Sequence, residues 1–318
     1  MAWIVGALVL IVAGSAWMTQ PLLLAGDCVK DGAAPDPERL EHRVRDLVGL
    51  FYPRDFTHTE NLARAARFIG EEFRRAGAAV SEQLFQAAGE SYRNVVAAFG
   101  PDTREVIVVG AHYDVAGEFP GADDNASGVA GLLELADLLA GAKLSRRVEL
   151  AAYALEEMPF FSTSQMGSAI HARSLRAAGR RVRGMLCLEM IGCFSEEAGS
   201  QEFPLPLLRL FYPSRGNFIA VVGNLGGVGI VRRVKRSIRR ASDLPVHSIN
   251  APALVPGVDL SDHVNFWRQG DPAVMITDTA FYRNPRYHTE GDTAETLDYG
   301  RMAKVVAGVR QAVLDLAR

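Results

Sequence analysis

From residue 38 onward the apolar positions of the chain switch repeatedly between a period near 3.6 and short β-branched runs, and each switch marks an element. ERLEHRVRDLVGLF (38–51) and TENLARAARFIGEEFRRAGA (59–78) repeat apolar residues at helical spacing, with Thr59 as the expected N-cap and Gly77 as the expected stop. VSEQLFQ (80–86), NVVAAFG (94–100) and VIVVGAHYD (106–114) read as strands, the next helix covers about 126–140, and VELAAYAL (148–155) is the strand after it. The alternation continues through a helix at 166–178, strands at 182–191 and 217–224, a short helix at 263–270, a strand at 272–278 and a closing helix at 297–317. Strands and helices interleaved in this way predict an α/β fold, a three-layer sandwich with a mixed, mainly parallel central sheet covered by helices on both faces. No internal repeat is visible. The irregular stretches 195–213 and 251–263 are expected to be loops that shape a pocket.

Before residue 38 the pattern is different. Residues 2–24 contain no charged side chain, and their length is close to the roughly 20 residues that span a hydrocarbon core. No Lys or Arg opens the run, and Asp27 stands where a lipoprotein signal would place its cysteine. The expectation is an uncleaved signal anchor over 1–25, a linker rich in Gly, Pro and Asp over 26–37, and a globular domain over 38–318 outside the cytoplasm, with secretion after cleavage as the alternative.

Composition narrows the functional classes. A chain of 318 residues with 48% hydrophobic content can bury one large α/β core. With 34 basic against 37 acidic residues there is no excess of positive charge to hold a nucleic acid. The basic cluster Arg232, Arg233, Lys235, Arg236, Arg239 and Arg240 alternates with Val231, Val234 and Ile238 as the solvated face of a helix would. Cys28, Cys187 and Cys193 form no disulfide framework and no CxxC knuckle, and the last two read as buried thiols.

Chemistry concentrates where strands end. His112 and Asp114, two apart, share one face at the end of the 106–114 strand. GADDNASG (121–128) then brings Asp123 and Asp124 to the start of the following helix. Glu156 and Glu157 follow the 148–155 strand as adjacent carboxylates, and only distortion at the strand end would turn both towards one centre. Glu189 is the single acid in an apolar strand, where burial demands a cation, a metal or a strong hydrogen bond. His288 lies in a polar loop after Tyr287. Imidazoles and carboxylates without thiolates suit zinc, with cobalt or manganese as alternatives, and a bridging carboxylate would permit two ions.

In order and context GAHYD, GADDNASG, ALEE, LEMIG, SDHVNFW and YHTEGDT resemble the zinc-dependent aminopeptidase family that includes glutamate carboxypeptidase and the glutaminyl cyclases, over about residue 38 to the C-terminus. The resemblance implies that His112 binds the first zinc, Asp124 bridges both, and Glu157 with His288 completes the second. It implies Glu189 as the last ligand of the first zinc, in a position where the family generally has Asp, and this leaves two ions or one open. It implies Asp114 as the residue that orients His112, Glu156 as general base, Tyr287 as a donor to the tetrahedral oxyanion, and Asp262 as part of an acid network lining the pocket. Asp123 is expected to serve the turn.

The function implied is a membrane-anchored exopeptidase that removes N-terminal residues from peptides. Single-zinc acyl transfer of the glutaminyl-cyclase kind is the alternative. A catalytically silent binding protein on the same fold is a third reading, although every ligand position holds a competent residue. Side-chain preference and oligomeric state are not encoded in any recognisable motif.

Overall fold

A computed structural model describes residues 2–20 and 34–318. Among the described residues sixteen helices and strands form, nearly all in the expected alternation. The helices are α1 (Ala2–Thr19), α2 (Pro37–Leu50), α3 (Thr59–Arg75), α4 (Gly128–Leu139), α5 (Gly167–Ala177), α6 (Val228–Ala241), α7 (His263–Arg268) and α8 (Tyr299–Leu316). The strands are β1 (Ala79–Ala87), β2 (Glu90–Phe99), β3 (Glu105–His112), β4 (Arg147–Tyr153), β5 (Arg181–Glu189), β6 (Ile219–Gly223), β7 (Val246–Asn250) and β8 (Ala273–Thr277).

All eight strands join one sheet in the order β1-β2-β4-β3-β5-β8-β6-β7. The pairs β3/β4, β3/β5, β5/β8 and β6/β7 are parallel, while β1/β2, β2/β4 and β6/β8 are antiparallel. One apolar core, with Leu47, Ile69, Leu132, Val234 and Val309 from α2, α3, α4, α6 and α8, covers one face. A second, with Leu175 of α5 and Phe266 of α7, covers the other. The three-layer sandwich is therefore borne out.

Local signals explain where elements start and stop. The Asp36 side chain accepts from the Glu38 amide at 3.0 Å, and Pro37 occupies the first helical position of α2. Thr59 is not a cap: α3 begins on it, His58 stands before it, and no side chain caps the end. Gly77 has φ +82 and provides the left-handed stop that the sequence suggested. Helix α2 is fastened to α4 by Glu134, whose side chain is fully buried and receives Arg39 at 2.6 Å and Arg43 at 2.8 Å.

Two expectations need correction. The segment 246–250 forms β7, a strand absent from the sequence reading because VHSIN is short and half polar. Its buried positions alternate, with Val246, Ser248 and Asn250 turned to one side and His247 and Ile249 half-buried on the other. The transmembrane reading of 1–25 is not supported. Among the described residues no helix is long and apolar enough to cross a membrane, α1 included. The end of α1 instead docks on the sheet edge. Ser248 Oγ donates to the Thr19 carbonyl at 3.0 Å, Lys235 Nζ donates to the Gln20 carbonyl at 2.9 Å, and the Gln20 amide meets Asn250. Residues 21–33, which hold Cys28 and most of the expected linker, lie outside the described residues. Cys187 and Cys193 are buried free thiols.

Candidate metal centre

The carboxyl ends of β3, β4 and β5 meet at one point, and their last residues or the turns after them bring the acids and imidazoles together. His112 ends β3. Its Nδ1 lies 3.1 Å from the Asp114 carbonyl and 3.6 Å from Asp114 Oδ1. Its Nε2 is buried without a hydrogen bond and faces Asp124 Oδ1 at 3.3 Å, Glu189 Oε2 at 3.4 Å and Glu156 Oε2 at 3.9 Å.

Asp124 sits in the irregular turn before α4. Gly121 opens that turn at φ +61, and a Cβ there would fall 2.3 Å from Val115 and 2.5 Å from the Asp124 carbonyl, so only glycine fits. The turn is stitched down from outside. Asp292 accepts the Asp123 and Asp124 amides at 3.0 and 3.1 Å, and Asn125 bonds the Leu188 carbonyl at 2.9 Å and the Met190 amide at 3.2 Å. Asp123 turns away from the centre, accepting from the Gly192 amide and the Asn284 side chain, as a turn residue would.

The adjacent carboxylates after β4 face one centre because the strand has already ended. Leu155 has φ +62, a left-handed conformation that breaks the strand alternation. The Asp114 carboxylate then accepts both following amides, Glu156 at 3.2 Å and Glu157 at 3.1 Å. Asp114 thus orients the glutamate pair with its carboxylate, while its main-chain oxygen is what lies against His112.

Glu157 Oε1 stands 3.2 Å from His288 Nε2, and that nitrogen is 3.0 Å from Asp124 Oδ2. His288 Nε2 also lacks a hydrogen bond. The two oxygens of Asp124 therefore face two different imidazoles. Glu189, one methylene longer than aspartate, reaches the centre and accepts from Ser261 Oγ at 2.5 Å. Tyr287 stacks on the His288 ring at 3.7 Å, and its hydroxyl has no intramolecular partner among the described residues. Asp262 is fully buried with both carboxylate oxygens lacking hydrogen-bond partners.

Electrostatics describe an excess of buried negative charge. Burial, together with the neighbouring carboxylates, raises the pKa of Glu156 and Glu189 above the usual carboxylate range and lifts Glu157 and Asp262 to about 7, against the pull of the imidazoles, a shift that a bound cation would oppose. Burial works against protonation of His112, but Glu189 and Glu156 hold it well above an ordinary histidine. The same contest lifts His288 to about 10 through Asp124 and Glu157. Among the described residues no Lys or Arg makes an ion pair with Asp124, Glu156, Glu157, Glu189 or Asp262. Arg54, buried nearby, spends its guanidinium on the carbonyls of Leu47, Tyr113 and Gly121.

Two orphaned imidazole nitrogens among converging carboxylates are what a divalent cation would complete. His112, Asp124 and Glu189 form one set of donor atoms within 4.8 Å, Asp124, Glu157 and His288 a second, and His112 with Glu156 and Glu157 a third. A further grouping, Asp123, Cys193 and Asp278, lies aside from these, and its carboxylates already accept main-chain amides. Sequence reasoning missed Asp292, Arg54 and Ser261, all in loops without periodicity. A cavity of about 240 Å³ opens from the centre, lined by Tyr287, Phe218, Val258, Met275 and His247 among others.

Comparison with known proteins places the chain in a family and a shared fold. Residues 94–313 match the profile of peptidase family M28. The chain is 49% identical over 281 residues to the uncharacterized protein YfbL of Escherichia coli, covering 86% of each. It is 26% identical over 297 residues to a probable leucine aminopeptidase 1 of Trichophyton verrucosum, covering 84% of this chain and 72% of that one. The fold is shared with an aminopeptidase from Aneurinibacillus sp. strain AM-1, at TM-score 0.69 and 19% identity over 90% of this chain and 95% of that one. A glutaminyl cyclase of Bacteroides thetaiotaomicron also shares it, at TM-score 0.67 and 18% identity over 90% and 99%.

Proposed function

Because the chain belongs to peptidase family M28, a family of zinc-dependent exopeptidases, we propose that it is an aminopeptidase that hydrolyses N-terminal peptide bonds, with two zinc ions as its full complement. The observation that carries this reading is Asp124, with one oxygen towards each of two imidazole nitrogens that lack hydrogen bonds. His112, Asp124 and Glu189 would hold one ion, and Asp124, Glu157 and His288 the other. Two imidazoles with carboxylates and no thiolate suit zinc. When bound, zinc supplies Lewis-acid polarisation of a carbonyl and acidifies water in the site.

The chain's own residues do the rest. Glu156 stands beside the first set without being needed in either set that contains Asp124. It takes the proton of the attacking water and returns it to the leaving amine. Its amide, held by Asp114, fixes where that carboxylate points. The unpartnered Tyr287 hydroxyl, kept protonated by burial and by Asp124, Glu157, Glu189 and Glu156, donates to the developing oxyanion. Glu156→Gln should cut kcat by at least about 10²-fold while zinc content stays at the wild-type level. Normal peptide hydrolysis by that variant would sink the assignment.

The alternative is acyl transfer on one zinc, as in glutaminyl cyclases, and glutamate at position 189 is the observation that favours it. A Gln-initiated peptide separates the two, since cyclisation lowers its mass by ammonia while hydrolysis releases free glutamine. We also propose that 38–318 is the catalytic unit and that it works outside the cytoplasm. That location rests on the uncharged run 2–24, and protease accessibility in spheroplasts tests it.

A further inference from the structure

Four adjacent strands place Glu189, Thr277, Ala220 and His247 in one row. Glu189 of β5 pairs with Thr277 of β8, Thr277 with Ala220 of β6, and Ala220 with His247 of β7. Register partners share a face, and all four residues line the cavity that opens from the metal centre. At about 4.8 Å per strand the row is about 14 Å long. Thr277 and Ala220, in its middle, are small, so they leave a trough from the centre to the imidazole. Val222, Ile249, Val258 and Met275 make its surroundings apolar.

His247 closes the far end in a defined orientation. Its ring stands edge-on to Phe218 at 4.8 Å and to Tyr212 at 5.8 Å. Tyr212 spends its hydroxyl on the Ser248 carbonyl at 2.7 Å. Neither nitrogen of His247 has a hydrogen-bond partner among the described residues, although the ring is held by its neighbours. Burial, with Lys235, Arg239 and Arg283 near, lowers its pKa to about 4, so at neutral pH the ring offers one donor and one acceptor. A scissile carbonyl held at the Glu189 end has up to three strand spacings, about 14 Å, between it and the imidazole, which is room for a tyrosyl side chain and one hydrogen bond at its tip.

We propose that this trough receives the side chain of the substrate's N-terminal residue and that His247 selects an aromatic side chain with a hydrogen-bonding tip, tyrosine before phenylalanine. The proposal rests on the aminopeptidase reading above. The test compares tyrosyl and phenylalanyl 4-nitroanilides with the zinc-loaded full chain. One neutral hydrogen bond predicts a kcat/KM ratio of about 3 to 10 in favour of tyrosine. His247→Phe, which keeps the ring contacts, should bring that ratio to about one, and His247→Gln, which restores a donor and an acceptor, should recover part of it.

Calorimetric binding of L-tyrosinamide and L-phenylalaninamide provides a readout without turnover and should show the same preference and the same loss. A ratio unchanged in His247→Phe, by rate and by binding, would overturn the proposal. If no aminoacyl substrate were cleaved, the aminopeptidase reading would fall, and the binding preference alone would decide whether the trough discriminates as proposed.

Discussion

At the residue scale the centre depends on a left-handed leucine and one aspartate. Leu155 breaks the alternation of its strand, and Asp114 then clamps the two amides that follow, so Glu156 and Glu157 face the same place. Asp114→Asn would turn an amide NH₂ towards one of those N–H groups and lose the clamp. We expect metal affinity or kcat to fall about 10 to 100-fold, read by zinc titration and by kcat on one substrate. Unchanged values would show that the glutamate pair is held by other means. The candidate positions were legible in the sequence, because His112 and Glu189 stand out against apolar neighbours and Asp124 lies in an acidic turn just after a strand. The clamp was not, since nothing in LEE announces a positive φ at the leucine. Asp292 and Arg54 were equally silent, because their partners are main-chain groups of a turn whose shape exists only after folding.

At the scale of elements, β4 and α5 are joined behind the centre by a buried polar chain. Arg147 Nε lies 2.5 Å from Glu149, Glu149 Oε2 is 3.0 Å from His171 Nε2, and His171 Nδ1 is 2.9 Å from the Tyr153 hydroxyl. Burial alone would raise the Glu149 pKa, but His171 and Arg147 outweigh it and lower it from 4.5 to about 2. Between those values the unfolded chain binds more protons than the folded one, so this contribution is complete above pH 4.5 and is lost on descent towards pH 2. It amounts to about 3 kcal/mol. Urea unfolding from pH 6 to pH 3 should show about two thirds of this loss, with a shallower slope in Glu149→Gln, and identical slopes would refute it. Long periodic helices such as α3 and α8 were readable from spacing alone. Strand β7 was not, because its identity comes from pairing with β6 rather than from its own five residues.

For the whole molecule, the buried carboxylates make folding and cation binding one equilibrium. Five acids converge and, among the described residues, none has Lys or Arg as an ion-pair partner, so the native state gains what an ion supplies. A ligand at about a thousand times its Kd adds about 4 kcal/mol. Chelation of the zinc-loaded protein should lower Tm by several degrees, added zinc should restore it, and Asp124→Ala should blunt the response. A Tm indifferent to chelator would mean that the centre is not a cation site. The layered architecture was legible because most of its strands and helices carry their own period. The docking of α1 was not, since an uncharged helix reads alike whether its end meets lipid or protein.

That docking bears on solubility. Strand β7 is the outer strand of the sheet, and an outer strand is a template on which another copy can build. The end of α1, tied through Ser248, Asn250 and Lys235, shields that rim. Lys235→Ala, or a chain beginning at residue 34, should therefore self-associate more readily than the intact protein, as light scattering over a concentration series would report. Unchanged scattering would mean that the rim is guarded by something else. Increased scattering would make the N-terminal helix, beyond any address it carries, a built-in guard against edge-to-edge polymerisation.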